Sequence, residues 1–371
     1  MEVERRLAVP FMSFDWATTW WRCFQEDNRA IKDRLFTRVI RGSDGELVAV
    51  APMMMTHRPG FGPMRMRVVQ FFGADPNVTE LRGMLCQNGR EADAFAALID
   101  DLRCCGSEWD WVHFSSIPRG GEAEELLDST GSMRWQGDIS NFVLPLKSTW
   151  DEQRSVLRRN IKQSIRKCYN APLRDGRELQ FEVVSDREAI EPALGEFFRL
   201  HEERSRVRSV NPHPNVFESA PTRRFLVDVC QRLADNGAAR VFQLRCGETV
   251  VATRVGFVDN DVLYLYYSGY DTAWGRYSVS TRVTVEAIRY AIDAGLAGVN
   301  LSTGVDVSKT RWGPHEHVTR EGFMVSNDRR SRLAFAGYQQ AMKLREDTAI
   351  GRFSHRAIAR RSPPAITPFT D

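Results

Sequence analysis

The residues best suited to chemistry follow one predicted strand. Segment 262–267 is β-branched, aromatic and aliphatic, which is typical of a strand with both faces covered. Turn-forming residues occupy 268–271, and a helix is predicted to begin near Ser278. The first N–H groups of a helix lack intrahelical acceptors and lie at its positive end, so they can bind a phosphate. We therefore predict a cofactor-phosphate site at Arg276, Ser278, Val279, Ser280 and Thr281.

Candidate acid–base groups lie beside this site. Acyl transfer to an amine or hydroxyl needs a base, a donor to the oxyanion and an acid for the leaving group. Backbone N–H groups of the strand could serve the oxyanion. Asp271 is a candidate base, or a turn aspartate bonded to its own backbone. Tyr270 and Tyr277 are candidate proton donors, although tyrosines at strand ends more often pack. His201, in a predicted helix, is either a base or a partly buried helix residue.

Charged residues also follow a second short strand, predicted at 299–301. Gly304 ends it, and Asp306, Lys309 and Arg311 come next. Sites in α/β proteins tend to lie at the carboxyl ends of strands. We therefore predict that these three side chains bind substrate. A solvated lysine is the alternative for Lys309.

A basic segment is predicted to form one helix from 150 to 170. Arg158, Lys162 and Arg166 recur every four residues, so they would share a face. The simpler interpretation is a surface helix whose charges complement its dipole. The alternative is a phosphate-binding face for CoA, a nucleotide-sugar or tRNA, in which Arg158 and Lys162 bind substrate.

The order of elements predicts the topology. Positions 283, 287, 291 and 294 form an apolar stripe at helical spacing, and Gly295 is a helix-ending residue. A strand, a helix and a strand in this order favour a parallel strand pair. We predict α/β lobes at 1–145 and 178–326 with mixed, mostly antiparallel sheets flanked by helices, joined by the basic segment 146–177. A hairpin is predicted around residues 41–45. C-terminal helices and a tail are predicted at 327–371, helical to about residue 361.

Length and composition agree with this plan. A chain of 371 residues is comfortable for two domains, and its 42% hydrophobic and 27% charged content is ordinary for a globular protein. The net charge of +3 gives no global argument for nucleic acid. No apolar run could cross a bilayer and the N-terminal residues lack a signal peptide's core, so we expect a cytoplasmic protein.

The possible metal ligands are weakly arranged. The 7 cysteines are scattered and odd in number, so we expect free thiols in a reducing compartment. His315, Glu316 and His317 alternate along a predicted strand without a third ligand group elsewhere. We therefore expect no metal site.

These residues resemble a known family, the GNAT-type acyltransferases, and within it the CelD/BcsL-like branch associated with cellulose or exopolysaccharide biosynthesis. In the C-terminal half the resemblance is carried by Ser268-Gly269-Tyr270-Asp271, Trp274, Arg276-Tyr277-Ser278, Glu286-Ala287-Ile288, Gly304, Lys309 and Arg311-Trp312. In the N-terminal half it is carried by Phe11-Met12-Ser13, Trp16, Trp20-Trp21, segment 47–53, and Phe197 to His201 with Arg204. It covers roughly residues 10 to 325.

The resemblance implies two tandem GNAT-like lobes with the active site in the C-terminal one. It also implies direct transfer of an acyl group from acyl-CoA, acetyl-CoA in the first place, to an amine or hydroxyl of a small or sugar-like acceptor. The family usually has Pro-Gly where this chain has Val279-Ser280, so a more crowded helix N-terminus is expected. The Fem-like transferases, which use aminoacyl-tRNA, resemble the chain in overall plan. Charged tRNA is therefore an alternative donor, and a non-catalytic binding protein is a further alternative.

Overall fold

The computed structural model describes residues 10–60, 65–74, 77–207 and 213–347. The packing divides the chain into two compact units. The central unit holds Ser140–His317, and the flanking unit holds Phe11–Ile139 and the chain from Val318 onward.

The α-helices are α1 (Phe14–Phe24), α2 (Glu91–Cys104), α3 (Glu122–Ser129), α4 (Trp150–Val156), α5 (Arg159–Arg174), α6 (Arg187–Ser205), α7 (Ala220–Asp235), α8 (Val279–Asp293), α9 (Val307–Thr310) and α10 (Arg329–Asp347). The strands are β1 (Lys32–Leu35), β2 (Arg38–Arg41), β3 (Leu47–Ala51), β4 (Met53–Pro59), β5 (Arg65–Phe71), β6 (Leu85–Cys86), β7 (Trp111–Pro118), β8 (Met133–Pro145), β9 (Gln180–Val184), β10 (Ala239–Cys246), β11 (Thr249–Asp259), β12 (Val262–Tyr270), β13 (Gly298–Thr303) and β14 (His315–Val325). Short 3-10 helices occupy Pro10–Met12 and Thr272–Tyr277.

In the central unit the strands form a sheet in the order β8-β13-β12-β11-β10-β9. Neighbouring strands are antiparallel except β12 and β13, which run parallel. Helix α8 connects these two strands, so the parallel pair predicted from the strand-helix-strand order is confirmed.

Helix α8 forms because its apolar positions fall on one face. Val283, Ala287 and Ala291 are fully buried in the core of the central unit, as the predicted stripe requires. Ala294 was assigned to the same stripe but is exposed, because the helix ends at Asp293. Gly295 follows with φ +71°, the left-handed conformation that glycine adopts without a steric penalty.

In the flanking unit β1, β4, β5, β7 and β14 form a sheet in that order. Here too one pair is parallel: β5 pairs with β7, and Val68–Gln70 lies beside Trp111–His113. A small second sheet has the order β2-β3-β6, and it contains the hairpin predicted around residues 41–45. The predicted fold class, mixed and mostly antiparallel sheets flanked by helices, is confirmed.

Each parallel pair contains a bent strand after its connecting helix. Ser116 in β7 has φ +57°, and Ser302 in β13 has φ +74°. The antiparallel register with the next strand shifts at both places. A positive φ is uncommon for serine, so both bends are held by their surroundings rather than by local preference.

The predicted single basic helix is wrong. Thr149 and Glu152 form a capping box that starts α4, and α4 ends at Val156. Leu157 and Arg158 are extended, with Leu157 buried in the core, before α5 begins. The three cations predicted at four-residue spacing therefore do not share one continuous helix face.

The packing units group the chain differently from the four predicted segments. Residues 146–177 pack within the central unit, and α10 packs within the flanking unit. Helix α10 is described to Asp347, and the predicted helical extension toward residue 361 lies outside the described residues. No helix within the described ranges is both long and apolar enough to span a bilayer.

Candidate active site

The parallel strands β12 and β13 part at their carboxyl ends. They pair only at Val262–Tyr264 with Gly298–Asn300, although β12 continues to Tyr270 and β13 to Thr303. The register of β12 with β11 also shifts after Leu265, which is the signature of a bulge. Beyond this point the facing edges of β12 and β13 do not pair with each other among the described residues.

Helix α6 lies directly against the end of β12. A Cβ on Gly269 would overlap the backbone N of His201 and lie 2.6 Å from the Leu200 carbonyl carbon, so only glycine permits this approach. The His201 ring is 3% exposed and its Nδ1 lies 3.1 Å from the Ser268 carbonyl oxygen. Since a carbonyl only accepts, Nδ1 carries the hydrogen. Burial lowers the pKa of His201 below its ordinary value, which favours this neutral form.

Arg204, one turn further along α6, reaches the same strand edge. Its Nη1 donates to Ser268 Oγ at 2.7 Å and to the Ser268 carbonyl at 3.3 Å. Its Nη2 lies 2.8 Å from Nε2 of His213, and its guanidinium carbon lies 5.7 Å from the centre of the Tyr270 ring. Loss of hydration lowers the pKa of Arg204. A partly buried cation is thus held by neutral groups at the end of β12.

The end of β13 carries a second cation. Lys309 donates from Nζ to the Thr303 carbonyl. Asp306 caps the short helix α9 by accepting from the Ser308 N–H at 2.5 Å. Burial opposes ionisation of Asp306, but its hydrogen bonds from Ser308 and the charge of Lys309 lower its pKa. Both residues were predicted from the sequence, and the structure places them beyond the parting strands.

The beginning of α8 is the place where the sequence predicts an anion site. Ser278 precedes the helix with φ +56° and makes no side-chain cap. Val279 is fully buried within the core, whereas Ser280 and Thr281 are partly exposed. The crowding expected at this helix end stays a prediction.

Arg311 reaches this helix end. Its Nη2 donates to Thr281 Oγ1 at 3.0 Å, and its buried Nε has no hydrogen-bond partner. Burial lowers the pKa of Arg311, and Asp306 opposes that change. The positive helix terminus and the guanidinium together would favour an anion.

Arg276, which was predicted to bind the cofactor phosphate, contacts the end of α5 instead. It pairs with Asp175 at 3.4 Å and contacts the hydroxyl of Tyr277, which donates to the same carboxylate at 2.6 Å. Tyr277 is buried. This trio joins the end of α5 to the 3-10 helix, so both residues have a packing role here.

Asp271 has the turn role that the sequence left open as the alternative. Its Oδ1 accepts from the Ala273 N–H at 2.8 Å and so starts the 3-10 helix. Glu203 accepts from the N–H and hydroxyl of Thr272, both at 2.9 Å. These hydrogen bonds outweigh burial and lower the pKa of Glu203. Tyr270, the other candidate proton donor, has its ring beside the Arg204 guanidinium.

The basic segment does not supply a compact binding face. Arg158 is exposed at the N-cap of α5, and Lys162 donates from Nζ to the Ser155 carbonyl at 2.7 Å. His315 and His317 are exposed, and Glu316 accepts from Ser140. Within the described ranges no three potential ligand groups are placed to hold a metal ion.

Five site residues were not selected from the sequence. They are Arg204, His213, Ser268, Asn141 and Asn300. Both asparagines are fully buried, and the amide nitrogens of both have no hydrogen-bond partner. Asn141, on β8, pairs with Thr303 near the end of β13, and Asn300 precedes Thr303 by three residues on β13. Only Arg204 had a sequence signal, because it lies three residues after His201 on a predicted helix.

Solved structures of other proteins resemble this chain in fold. No curated protein matches the chain in sequence. The solved structure of FemX aligns with 12% identity and a TM-score of 0.60, covering 88% of this chain and 94% of that one. A conserved protein of unknown function from Bacteroides thetaiotaomicron aligns with 12% identity and a TM-score of 0.51, covering 87% and 93%. At these identities the likeness concerns the fold alone.

A family model described as acetyltransferase (GNAT) domain matches residues 155–310. The matched range contains β12, α8, β13 and Lys309, and it ends just before Arg311. The resemblance to the CelD/BcsL-like branch stays a prediction. Residues 155–310, which lie in the central unit, are thus similar to a GNAT-type acetyltransferase domain.

Proposed function

We propose that the chain is an acyltransferase that moves an acyl group, acetyl in the first place, from acyl-CoA to an amine or hydroxyl of a small or sugar-like acceptor. The observation that carries this proposal is the parting of β12 and β13 beside the N-terminus of α8. An extended ligand can insert where two strands part, and the adjacent helix end can bind its phosphates.

The donor would bind at the start of α8. The N–H group of Ser280 would contact the pyrophosphate, and Arg311 would add a positive charge from the side of Thr281. The partial exposure of Ser280 supports this arrangement.

The reaction would be a direct attack. The thioester would lie along β12 beyond its last pair with β13, where a backbone N–H would stabilise the negative charge that develops on the carbonyl oxygen. The acceptor nitrogen or oxygen forms a bond to the acyl carbon, the carbon–sulfur bond breaks, and the thiolate leaves. Tyr270, two residues beyond Ser268 on the same strand, remains our proposed proton donor to that thiolate. The proton that the acceptor loses passes to water, and water returns a proton to Tyr270. Asp306 would bind the acceptor near the opposite strand end.

Isothermal titration with acetyl-CoA, longer acyl-CoAs and free CoA tests the donor. We expect a Kd in the micromolar range or tighter, about −8 kcal/mol or better. Arg311→Gln should weaken binding about 10-fold or more, because a charge-assisted contact is lost. Arg206→Gln is the matched control, since Arg206 is exposed and pairs with Glu202 one helix turn earlier. Absence of binding to every CoA species would contradict the proposal.

A second candidate donor is aminoacyl-tRNA. One observation favours it: α5 contains no acidic residue and exposes Arg159, Arg166 and Lys167. Charged tRNA should then bind with an affinity that falls steeply with salt, and replacing these three residues by Gln should flatten that dependence. Saturable acetyl-CoA binding with no tRNA binding would exclude this candidate.

A further inference from the structure

Arg204 carries a charge that the protein does not neutralise by direct contact. Its hydrogen-bond partners are the hydroxyl and carbonyl of Ser268 and the ring of His213, and none of them is anionic. No described carboxylate lies within ion-pair distance of it, and the acidic groups whose fields reach it are Tyr270 and then Asp306. Placing a cation in a partly buried position costs hydration energy, which an anion in contact would offset.

The surroundings of Arg204 have a positive field. The pKa of His213 is lowered to about 4. Loss of hydration is the largest cause and the charge of Arg204 is the next. Asp306 raises this pKa, whereas His201 and Lys309 lower it further. His213 is therefore neutral near pH 7, and its Nε2 can accept from Arg204. The charged groups that act on this position are the cations Arg204 and Lys309 and the carboxylate of Asp306, so their formal sum is positive.

The position of Arg204 is where an acceptor must approach. Arg204 contacts Ser268 on β12, beyond the last pair with β13, and its guanidinium lies over Tyr270. Lys309 holds the corresponding end of β13 through the Thr303 carbonyl. A group that binds Arg204 would thus lie at the open end of the parted strands, apart from the α8 terminus where Arg311 lies.

We propose that the acceptor carries an anionic oxygen group, a carboxylate or a phosphate, and that Arg204 binds it. This inference rests on the proposed function for its description of the ligand as an acceptor. The planar guanidinium suits either group, because its N–H donors match two oxygens at once. The ligand's anion would replace the neutral His213 ring as the partner of Nη2.

Binding of simple anions tests the site without knowledge of the acceptor. Inorganic phosphate and acetate are titrated against wild type, Arg204→Gln, Arg204→Lys and the control Arg206→Gln, with phosphorus and carbon NMR line widths as the readout. We expect Arg204→Gln to weaken binding about 10-fold or more, Arg204→Lys to fall between, and Arg206→Gln to match wild type. Thermal unfolding shows whether each variant is folded. If Arg204→Gln is unfolded, anion binding by Arg204→Lys is compared with wild type instead. Equal binding by the Arg204 variants and wild type overturns the proposal.

Matched acceptors test the assignment to the acceptor. Release of CoA from acetyl-CoA is measured with glucosamine 6-phosphate against glucosamine, and with L-lysine against L-lysine amide. Arg204→Gln should raise KM for the acidic member of a pair about 10- to 100-fold and leave acetyl-CoA binding unchanged. An equal effect on both members, or weaker acetyl-CoA binding, overturns the proposal. Failure of acetyl-CoA to bind the wild type, with phosphate binding still dependent on Arg204, would instead contradict the proposed donor.

Discussion

Replacing Gly269 by Ala should separate α6 from β12. The new Cβ would lie 2.6 Å and 2.9 Å from two atoms of Leu200, whereas nonbonded carbon atoms prefer about 3.5 Å or more. The backbone of α6 would have to retreat by about 1 Å. That shift would lengthen the 3.1 Å contact between His201 and Ser268 beyond hydrogen-bond range.

The expected cost combines two effects. Overpacking against a backbone costs about 1–3 kcal/mol, and the lost hydrogen bond adds about 1 kcal/mol. Gly269→Ala should therefore lower the free energy of unfolding by about 2–4 kcal/mol, measured by urea denaturation. Activity should fall further than stability, since Arg204 moves with the same helix.

Gly275→Ala is the matched control. A Cβ there meets no atom within 4 Å, and the backbone has no positive φ. Its unfolding free energy should stay within about 0.5 kcal/mol of wild type. The reasoning is refuted if Gly269→Ala is as stable as this control and the NMR signals of His201 are unchanged.

Three further predictions concern stability. Gly195→Ala should stabilise the protein by about 1 kcal/mol in urea denaturation, because Gly195 is exposed inside α6 and a Cβ there meets nothing. Ser278→Gly should add about 0.5–1 kcal/mol by relieving the left-handed backbone, and an unchanged or lower midpoint would contradict this. Burial lowers the pKa values of His201 and His113, so the unfolded chain binds protons more readily than the folded one as the pH falls below about 6.5. Stability should be complete above that pH and decline below it, and His113→Gln should reduce the slope in pH-dependent denaturation.

The local pattern of the chain was sufficient to predict the core of the site. Apolar spacing located α8, the strand-helix-strand order gave the parallel pair, and the charges after β13 located Lys309 and Arg311. These features depend on neighbours a few residues apart. Periodicity and capping residues therefore report on them directly.

The contacts across the site were not predictable in the same way. Arg204 and Ser268 are 64 residues apart, and their contact depends on the bulge in β12 and on the close approach at Gly269. The buried state of Asn141 depends on strand pairing with β13. The break after Val156 arises because Leu157 is drawn into the core, which four-residue spacing of cations does not reveal.

A bent strand recurs in both units, but its surroundings differ. At the register shift in β7 the flanking positions are Phe114 and Ile117, both buried among apolar side chains. At the corresponding shift in β13 they are Asn300 and Thr303. The same backbone irregularity is thus packed by apolar side chains in the flanking unit and bordered by polar ones in the central unit. A polar bend keeps hydrogen-bonding groups that an apolar bend lacks.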